Sequence, residues 1–366
     1  MRKIIYFVSE DWVFLNHRLE LIKKIKAGGF KVMLITKVTD FKKEIEKHNI
    51  KVIGLKAERG SLNIRKSAKD IYKIFKIYQK EKPNIVHHFG IRQIVHGNIA
   101  AKLARVKKSC NSIIGLGSVF ISSHFLKRFF IKNILRFSLF LKKSYVFVQN
   151  KDDLEFFKKN KLTYSKELFL VTGSGIDTKK FTTNKEPRGK IVFLFASRLI
   201  KDKGILELIN AIKELKLKKN NFEVFIAGSP DSQNPSSITN QQLQSWESLN
   251  YIKYLGQVRN MIDLYKKIHV VILPSYREGL PKGLLEAASC GKPIITTDVP
   301  GCREIVRNEI NGILVPPKDT NALINAMKKL INNKKLRKSM GNKGREIIKK
   351  SFSIKTKSQE LINFYK

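Results

Sequence analysis

The sequence predicts an α/β protein made of two doubly wound, Rossmann-like domains that face each other across a cleft. Three observations lead to this prediction. The chain has 366 residues, more than a single hydrophobic core usually serves. Short apolar runs alternate with segments of helical periodicity, which is the pattern of a parallel sheet covered by helices. The alternation occurs twice, and a polar, charged segment at 177–190 separates the two series.

The first series starts at the beginning of the chain. The apolar run at 3–9, KIIYFVS, is suited to a central parallel strand, and residues 16–29 have helical spacing that stops at two glycines. A second strand follows at 30–36. The remaining predicted elements are a helix at about 64–81, a strand at 84–89, a helix at 97–106, a strand and turn at 112–117, and a strand at 145–150. Together they define a predicted N-terminal domain at 1–172.

The second series starts with the buried strand IVFLFAS at 191–197, followed by a helix and a strand at 222–228. The later predicted elements are the segments YIKYLG, NMIDLYKKI, VVILPS, GLLEAASCG and PIITT. We therefore predict a C-terminal domain at 173–352 and expect the last helix, about 353–366, to return to the N-terminal domain. Because doubly wound sheets bind ligands beyond the carboxyl ends of their strands, the cleft is the predicted active site.

Charge is the most unusual feature of the composition. Lysine and arginine number 72 against 30 acidic residues, a formal net charge of +42. Such an excess attracts polyanions, such as nucleic acid, an anionic membrane or phosphorylated substrates, although a general bias towards lysine explains much of it equally well. The sequence has neither a nucleic-acid reader module nor an aromatic stacking platform. Nucleic acid is therefore not an expected partner.

Cysteine usage and hydropathy indicate a protein of the cytoplasm. Cys110, Cys290 and Cys302 are widely spaced, without a CxxC pattern or a histidine at metal-ligand spacing. This argues for a reducing compartment and against a structural zinc site. No window reaches the ~18 consecutive apolar residues of a membrane span, and the short apolar run near Met1 is interpreted as a strand rather than a signal peptide.

The segment from Ser275 to Glu286 carries the first candidate site. It joins a predicted strand to a predicted helix, and Gly279 and Gly283 leave backbone N–H groups accessible near the helix N-terminus, where phosphate oxygens bind favourably. Glu278 and Glu286 lie eight residues apart and can flank a ligand as acceptors for its hydroxyl groups. The alternative for Glu286 is an acid that only balances the helix dipole.

A second candidate segment, ASRLIKDKG at 196–204, follows another buried strand. Arg198 and Lys203 lie five residues apart across a turn that Gly204 closes. Two cations in this position would neutralise a diphosphate that also serves as a leaving group. Either cation alone is as well explained as a solvated surface residue of a lysine-rich chain, whereas the pair at strand ends of one domain favours a site.

Taken together, these motifs resemble one enzyme family. ASRLIKDKG, the block REGLPKGLLEAASCGKPIITTDVPGCREIV, the segment GILVPP and GSGID at 173–177 look like the family 4 retaining glycosyltransferases of the GT-B fold, for which the E-x7-E arrangement is characteristic. The resemblance is strongest over about 173–345. Within the family, the stretch HHFGIRQIVHGNIAAKLARVKKSCNSIIGLGSVFIS is similar to bacterial enzymes that build saccharides on an undecaprenyl-diphosphate carrier.

The resemblance implies a set of catalytic and donor-binding residues. Arg198 and Lys203 would hold the donor diphosphate, Glu278 would contact hydroxyls of the transferred sugar, and Glu286 would bind the ribose of the nucleotide. Val258 would lie against the base. The backbone that reaches the phosphates would be that of Gly279, Lys282, Gly283 and Leu284.

The same resemblance implies a reaction without a metal or other cofactor. The cations and the helix N-terminus would take the role of a metal, and the sequence has no DxD motif. Transfer would proceed with retention: the donor phosphate departs and the acceptor attacks on the same face, with the leaving phosphate as base.

The N-terminal domain offers two candidate catalytic histidines. His17 follows the first strand and His88 ends another, and members of the family often place a histidine of this domain near the donor sugar. A structural histidine with satisfied hydrogen bonds is an equally good interpretation of each. The resemblance is weaker here, because residues 9–12 (SEDW) stand where many relatives have a glycine-rich loop, and Ile114 stands where they have a polar residue.

Residues 122–143 combine cations with large apolar side chains and contain no acid. A basic helix with aromatic rings is suited to an anionic membrane surface, with its rings at the acyl boundary and its cations on the headgroups. The alternative is an amphipathic helix that only packs on the sheet. The predicted membrane-contact residues are Lys127, Arg128, Phe129, Phe130, Lys132 and Arg136.

The sequence therefore predicts a cytoplasmic retaining glycosyltransferase that is peripheral on the inner face of the cell membrane. It would move a hexose or N-acetylhexosamine from a nucleotide sugar, with UDP the favoured nucleotide, to a lipid-diphosphate-linked saccharide in surface polysaccharide or glycan assembly. The alternatives are a glycosyltransferase with a soluble acceptor, and an epimerase-like sugar-nucleotide enzyme that does not transfer.

Overall fold

The structure, a computed structural model, describes residues 1–55, 64–116, 125–141, 144–217, 221–232 and 234–366, without the side chains of 125–127 and 217. The chain forms two compact units. Unit 1 comprises Met1–Gly175 and Ile354–Lys366, and unit 2 comprises Ile176–Ser353. The sequence placed these boundaries at 172/173 and 352/353.

Unit 1 is built on a parallel β-sheet. Its strands within the described residues are β1 (Arg2–Glu10), β2 (Phe30–Lys37), β3 (Lys51–Gly54), β4 (Ile85–Phe89), β5 (Lys108–Ser112), β6 (Ser144–Val148) and β7 (Leu168–Leu170). They pair in the order β3-β2-β1-β4-β5-β6-β7. The order reverses between β1 and β4, which is the topological switch point of a doubly wound sheet.

Helices cover both faces of this sheet. In the described part of unit 1 they are α1 (Asp11–His17), α2 (Leu19–Ala27), α3 (Lys42–Glu46), α4 (Ile64–Glu81), α5 (Ile91–Leu103), α6 (Phe125–Phe140) and α7 (Lys151–Lys159). Ile4 and Tyr6 of β1 belong to one buried core, whereas Ile5 and Phe7 belong to another. Because successive side chains of a strand point to opposite faces, the strand must be apolar throughout, as its sequence is.

Three predicted elements of unit 1 were wrong in their bounds. The segment 16–29 contains a break, because Arg18 (φ -129°) separates α1 from α2; its guanidinium lies over the Phe89 ring at 4.6 Å. The helix predicted at 97–106 already begins at Ile91, directly after Gly90. The strand predicted at 112–117 lies at Lys108–Ser112 instead.

The last helix, α15 (Ile354–Tyr365), belongs to unit 1. Leu361 and Ile362 join the core that also holds α2, and Tyr365 is fully buried. The hydroxyl groups of Tyr365 and Tyr6 lie 3.1 Å apart, and the Tyr365 hydroxyl also bonds His87 Nδ1. The final helix is thus part of the first unit's core rather than an appendage.

Unit 2 is built on a second parallel sheet. Its strands within the described residues are β8 (Ile191–Ala196), β9 (Phe222–Ala227), β10 (Ile252–Tyr254), β11 (Val270–Leu273), β12 (Ile294–Thr297) and β13 (Gly312–Val315). They pair in the order β10-β9-β8-β11-β12-β13. Here the order reverses between β8 and β11, so these two strands define the switch point of unit 2.

One large buried core joins the sheet of unit 2 to its helices. The described helices are α8 (Ile205–Leu217), α9 (Asn240–Glu247), α10 (Met261–Lys266), α11 (Lys282–Ser289), α12 (Cys302–Ile305), α13 (Thr320–Asn332) and α14 (Lys334–Ser351). Ile272 of β11 and Leu208 of α8 are both without solvent exposure. The segments that carry the predicted donor-binding residues connect these rigid elements.

Candidate active site

The predicted donor-binding segments meet at the switch point of unit 2. Val270 of β11 pairs with Phe193 of β8, so the carboxyl ends of the two strands are neighbours. Beyond β8 lies a short 3-10 turn at Lys201–Lys203, and beyond β11 lies the loop 274–281 followed by α11. Open α/β sheets bind their ligands at this place.

Two glycines allow the segments of the site to approach closely. Gly204 has φ 72°, and a Cβ there would lie 1.9 Å from Pro274 O. Gly301 has φ 81°, and a Cβ there would lie 2.5 Å from Gly279 O. The loop 274–281 is therefore held on two sides by backbone contacts that only glycine permits.

A tyrosine anchors the same loop through its side chain. The Tyr276 hydroxyl donates to Glu207 Oε1 at 2.6 Å, and the Tyr276 N–H donates to Asp202 O at 2.9 Å. Burial raises the pKa of the Tyr276 phenol, so it keeps its proton and acts as a donor. Neither Tyr276 nor Glu207 was singled out from the sequence, because each contact joins residues far apart in the chain.

Lys203 and Glu278 form an ion pair at the centre of this site. Lys203 Nζ lies 2.6 Å from Glu278 Oε1, and the two side chains are 14% and 12% exposed. The sequence assigned the cation to a diphosphate and the acid to sugar hydroxyls, and the structure brings both groups to one point. A ligand can replace both partners of this pair. Its phosphate can take the place of Glu278 beside Lys203, and its hydroxyl groups can donate to Glu278 in place of Lys203.

Arg198 lies apart from that pair. Its Nη1 bonds Asp231 Oδ2 at 2.9 Å, and its side chain is 55% exposed. Asp231 follows β9, the strand next to β8, and nothing in its local sequence marks it as a partner. Because an exposed ion pair contributes little free energy, Arg198 can exchange Asp231 for another anion at small cost.

Glu286 is the second acid of the site and lies within α11. Its Oε1 lies 3.1 Å from Lys282 Nζ, and its Oε2 accepts a hydrogen bond from the Tyr265 hydroxyl at 3.3 Å. The Glu286 side chain is only 10% exposed. The sequence missed Tyr265, whose position in a short helix before β11 is also that of an ordinary core tyrosine.

The start of α11 is suited to an anion. Pro281 precedes the helix and gives it no side-chain cap, and the N-terminus of a helix favours negative charge. A Cβ at Gly283 would meet only Ala196 O, at 3.8 Å, so the helix surface there is open. Leu284 has a buried side chain and its N–H donates to Pro281 O at 3.1 Å, so it lines the core rather than the opening.

Val258 is half-buried and lies beyond β10, at the outer side of the sheet from the switch point. It packs against the unit 2 core. Gly256, with φ 61°, turns the chain between β10 and Val258. Contact of Val258 with a base stays a prediction.

The two candidate histidines of unit 1 lie in different environments. His88 is fully buried, with Nδ1 2.9 Å from Asn111 Oδ1 and Nε2 3.1 Å from the Tyr78 hydroxyl. This geometry favours the structural interpretation, because both ring nitrogens are occupied inside the core. His17 is exposed at the end of α1 and meets the Trp12 ring edge-on at 6.5 Å.

The SEDW segment, which stands where many relatives have a glycine-rich loop, makes side-chain contacts at the end of β1. The Asp11 carboxylate is completely buried and accepts bonds from Thr39 N at 2.7 Å and Phe41 N at 3.2 Å. Trp12 Nε1 donates to Glu10 Oε2 at 2.6 Å. The Asp11 carboxylate therefore ties the end of β1 to the segment after β2, whereas the Glu10 bond lies within the segment itself.

Helix α6 presents an apolar face to solvent. Phe130, Ile134 and Phe137 are 62%, 49% and 61% exposed, whereas Leu135 and Leu139 are buried in unit 1. Phe129 is 51% exposed, and Arg128, Lys132 and Arg136 follow one another at helical spacing between the buried and the apolar face. The Lys127 side chain lies outside the described residues. No helix in the described part of the chain is long and apolar enough to cross a membrane.

The two units match two different known protein families. Residues 177–347 match the family described as glycosyl transferases group 1, and residues 3–150 match the family described as glycosyl transferase 4-like. The first match contains the whole site of unit 2. The second covers most of unit 1 and ends at residue 150, just before α7.

Two relatives resemble this chain over most of its length. N,N'-diacetylbacillosaminyl-diphospho-undecaprenol alpha-1,3-N-acetylgalactosaminyltransferase of Campylobacter jejuni is 27% identical over 348 residues, 90% of each chain. UDP-Gal:alpha-D-GlcNAc-diphosphoundecaprenol alpha-1,3-galactosyltransferase of Escherichia coli is 26% identical over 333 residues, 83% of this chain and 81% of the relative.

A solved structure shows the same fold. HepE of Anabaena, in complex with UDP and glucose, matches 100% of this chain and 99% of its own with a TM-score of 0.81 and 17% identity. This confirms the predicted α/β fold class. The two family matches together extend over both units, so the chain consists of a glycosyltransferase 4-like region at 3–150 and a group 1 glycosyltransferase region at 177–347.

Proposed function

We propose that this glycosyltransferase moves a hexose or N-acetylhexosamine, with retention, from a UDP-sugar to a saccharide linked to a lipid diphosphate. The observation that carries the proposal is the Lys203–Glu278 pair at the switch point of unit 2, with Glu278 in the loop that leads to the N-terminus of α11. The acceptor class is supported by the relatives from Campylobacter jejuni and Escherichia coli, whose names specify undecaprenol-diphosphate-linked substrates.

In this proposal the donor replaces contacts that the site already has. Lys203 leaves Glu278 for the donor diphosphate, and Glu278 then accepts hydrogen bonds from hydroxyls of the sugar. The N–H groups at the start of α11 reach the phosphates, and Arg198 swings from Asp231 to the same charge. The positive groups stabilise the charge that grows on the leaving diphosphate during transfer, which lowers the barrier.

The proposal also includes transfer with retention of configuration and a reaction that needs no metal ion. The leaving phosphate takes the proton from the attacking acceptor hydroxyl, so no protein base is required on that face. Lys203 and the helix N-terminus supply the charge compensation that a divalent cation would otherwise give.

We also place the enzyme on an anionic membrane surface through α6, at the inner face of the cell membrane where a lipid-linked acceptor would be. The exposed rings of Phe130 and Phe137 would enter the acyl boundary, while Arg128, Lys132 and Arg136 would contact the headgroups. The apolar face is otherwise an unfavourable feature of a surface helix.

A panel of nucleotide sugars, incubated with the full chain and an extract of undecaprenyl-diphosphate saccharides, tests the proposal by the mass of the lipid product. We expect one donor to add one sugar mass. Glu278→Ala should lose transfer while it keeps much of the nucleotide affinity. Near-normal turnover in that variant would refute the assignment of Glu278. Transfer to a soluble saccharide only, or epimerisation without transfer, would establish an alternative function.

A further inference from the structure

Unit 2 contains a buried phenol for which the proposed reaction gives no role. Tyr265 belongs to α10 and is 1% exposed. Its hydroxyl lies 3.1 Å from Gly283 O and 3.3 Å from Glu286 Oε2, so it reaches two residues of α11 at once. The ring meets that of Phe181 edge-on at 6.3 Å, which limits its movement.

The phenol acts as a hydrogen-bond donor. Burial raises the pKa of Tyr265 well above its ordinary value, and the Glu286 carboxylate raises it further. The hydroxyl therefore keeps its proton, and both neighbouring oxygen atoms are acceptors. One O–H group shared between Gly283 O and Glu286 Oε2 ties the carboxylate to the backbone of its own helix.

Lys282 holds the other carboxylate oxygen, with Nζ 3.1 Å from Glu286 Oε1. An ionised carboxylate has about four acceptor positions, so these two partners leave about two for a ligand. Two vicinal hydroxyl groups, such as the 2′-OH and 3′-OH of a ribose, match that remaining capacity. Because the Glu286 side chain is only 10% exposed, its orientation decides whether those positions are accessible.

We propose that Tyr265 is a positioning residue: its hydrogen bond to Oε2 fixes the Glu286 carboxylate so that it accepts the ribose hydroxyls of the donor. Tyr265 thereby sets the preference of the enzyme for ribonucleotides over deoxyribonucleotides. The inference rests on the proposed function, in which Glu286 binds the ribose of a nucleotide sugar.

The test measures binding of nucleoside diphosphates to the full chain by calorimetry. UDP, GDP, ADP and CDP identify the nucleotide that binds, and its 2′-deoxy form is then compared with it. A hydrogen bond to a charged group predicts that wild type binds the ribo form at least about tenfold more tightly. In Tyr265→Phe this ratio should fall to about two, while the affinity for the deoxy form stays within about twofold of wild type.

Tyr254→Phe is the matched control. Its hydroxyl donates to a backbone oxygen, Gly228 O, at 3.1 Å, but not to a carboxylate. This variant should keep the wild-type ratio of ribo to deoxy affinities. A merely structural role of Tyr265 would instead weaken both forms of the nucleotide equally and leave their ratio unchanged, which would overturn the inference.

Lys282→Met gives an independent test if Tyr265→Phe fails to fold, since the Lys282 side chain is 36% exposed and can be replaced without a change to the core. Release of Oε1 should lower the ratio at least about twofold, and an unchanged ratio would overturn the inference. Equal wild-type binding of both forms would also overturn it, although donor binding would stand. Binding of no nucleotide in the panel would refute the proposed function itself.

Discussion

The Lys203–Glu278 ion pair allows the donor site to be tested before the sugar is known. The atoms lie 2.6 Å apart and the side chains are 14% and 12% exposed, so water screens the pair less than it screens a surface pair. Loss of one partner costs about 3–5 kcal/mol in a buried pair and below about 1 kcal/mol at the surface. For Lys203→Met or Glu278→Gln alone we expect unit 2 to lose about 2 kcal/mol of unfolding free energy.

The double variant distinguishes the pair from a general loss of packing. Lys203→Met combined with Glu278→Gln leaves no unpaired charge, so its unfolding free energy should return to within about 1 kcal/mol of wild type. For a unit of this size, 2 kcal/mol corresponds to a shift of about 4–8 °C in the unfolding midpoint. Differential scanning calorimetry of the four proteins measures this cycle.

Transfer activity should behave in the opposite way. Loss of the Lys203 cation should lower kcat by about 10²–10³-fold, the effect of removing one group that stabilises transition-state charge. The double variant should be as inactive as Lys203→Met, although it is stable. Recovery of activity together with stability would show that the pair is only a structural contact and would refute the reasoning.

Three further predictions concern the membrane, pH and metals. The double variant Phe130→Asp, Phe137→Asp should bind anionic vesicles at least about tenfold more weakly in a sedimentation assay, because two rings leave the acyl boundary. The control is Tyr72→Asp, at an aromatic residue of α4 that is 57% exposed, and it should leave vesicle binding unchanged. The stability of unit 1 should fall as the pH drops from about 6.5 towards 4, because burial lowers the pKa of His96 to about 4 and the pKa of His87 well below its ordinary value. In this range the histidines of the unfolded chain bind protons that the folded chain excludes. Thermal unfolding scans at each pH measure the loss. EDTA should leave transfer unchanged, as measured by lipid product formed in the presence and absence of the chelator.

Each of these three predictions has an outcome that would contradict it. Equal losses of vesicle binding in the α6 and Tyr72 variants would point to charge rather than to the apolar face. A midpoint for unit 1 that stays constant between about pH 7 and 4.5 would exclude the histidine explanation, and a slope that His96→Gln leaves unchanged would exclude His96 as its source. Loss of transfer in EDTA with recovery on added magnesium would show that a metal takes part.

The fold class followed from the sequence because strands buried on both faces must be continuously apolar. β1 and β8 were recognisable for this reason, and α4 was predicted at its observed bounds because its apolar residues recur at helical spacing. The strand β5 was not recognisable. Its sequence KSCNS is polar, and its side chains bond residues outside the strand: Ser109 Oγ donates to Asn98 Oδ1 at 2.6 Å, and Asn111 Oδ1 lies 2.9 Å from His88 Nδ1.

The donor segment Glu278–Glu286 was recognisable for a different reason. A strand end, two glycines and two acids lie within one short stretch, so local spacing carries the information. Arg198 and Lys203 were recognisable in the same way, but the sequence did not show that their side chains lie apart in the fold. The sequence could not show that Lys203 meets Glu278 while Arg198 meets Asp231, because those contacts depend on which strand ends become neighbours in the sheet.

What the sequence determined by itself was the set of chemical groups: the alternation of strand and helix, the acids and cations at strand ends, and the basic aromatic helix. What only the tertiary structure decided was their partners. His88 is buried between Tyr78 and Asn111, and Tyr265 reaches the carboxylate of Glu286 from another helix. The physical reason is that periodicity and spacing are local properties of the chain, whereas a hydrogen bond between distant residues exists only once the sheet order has placed them side by side.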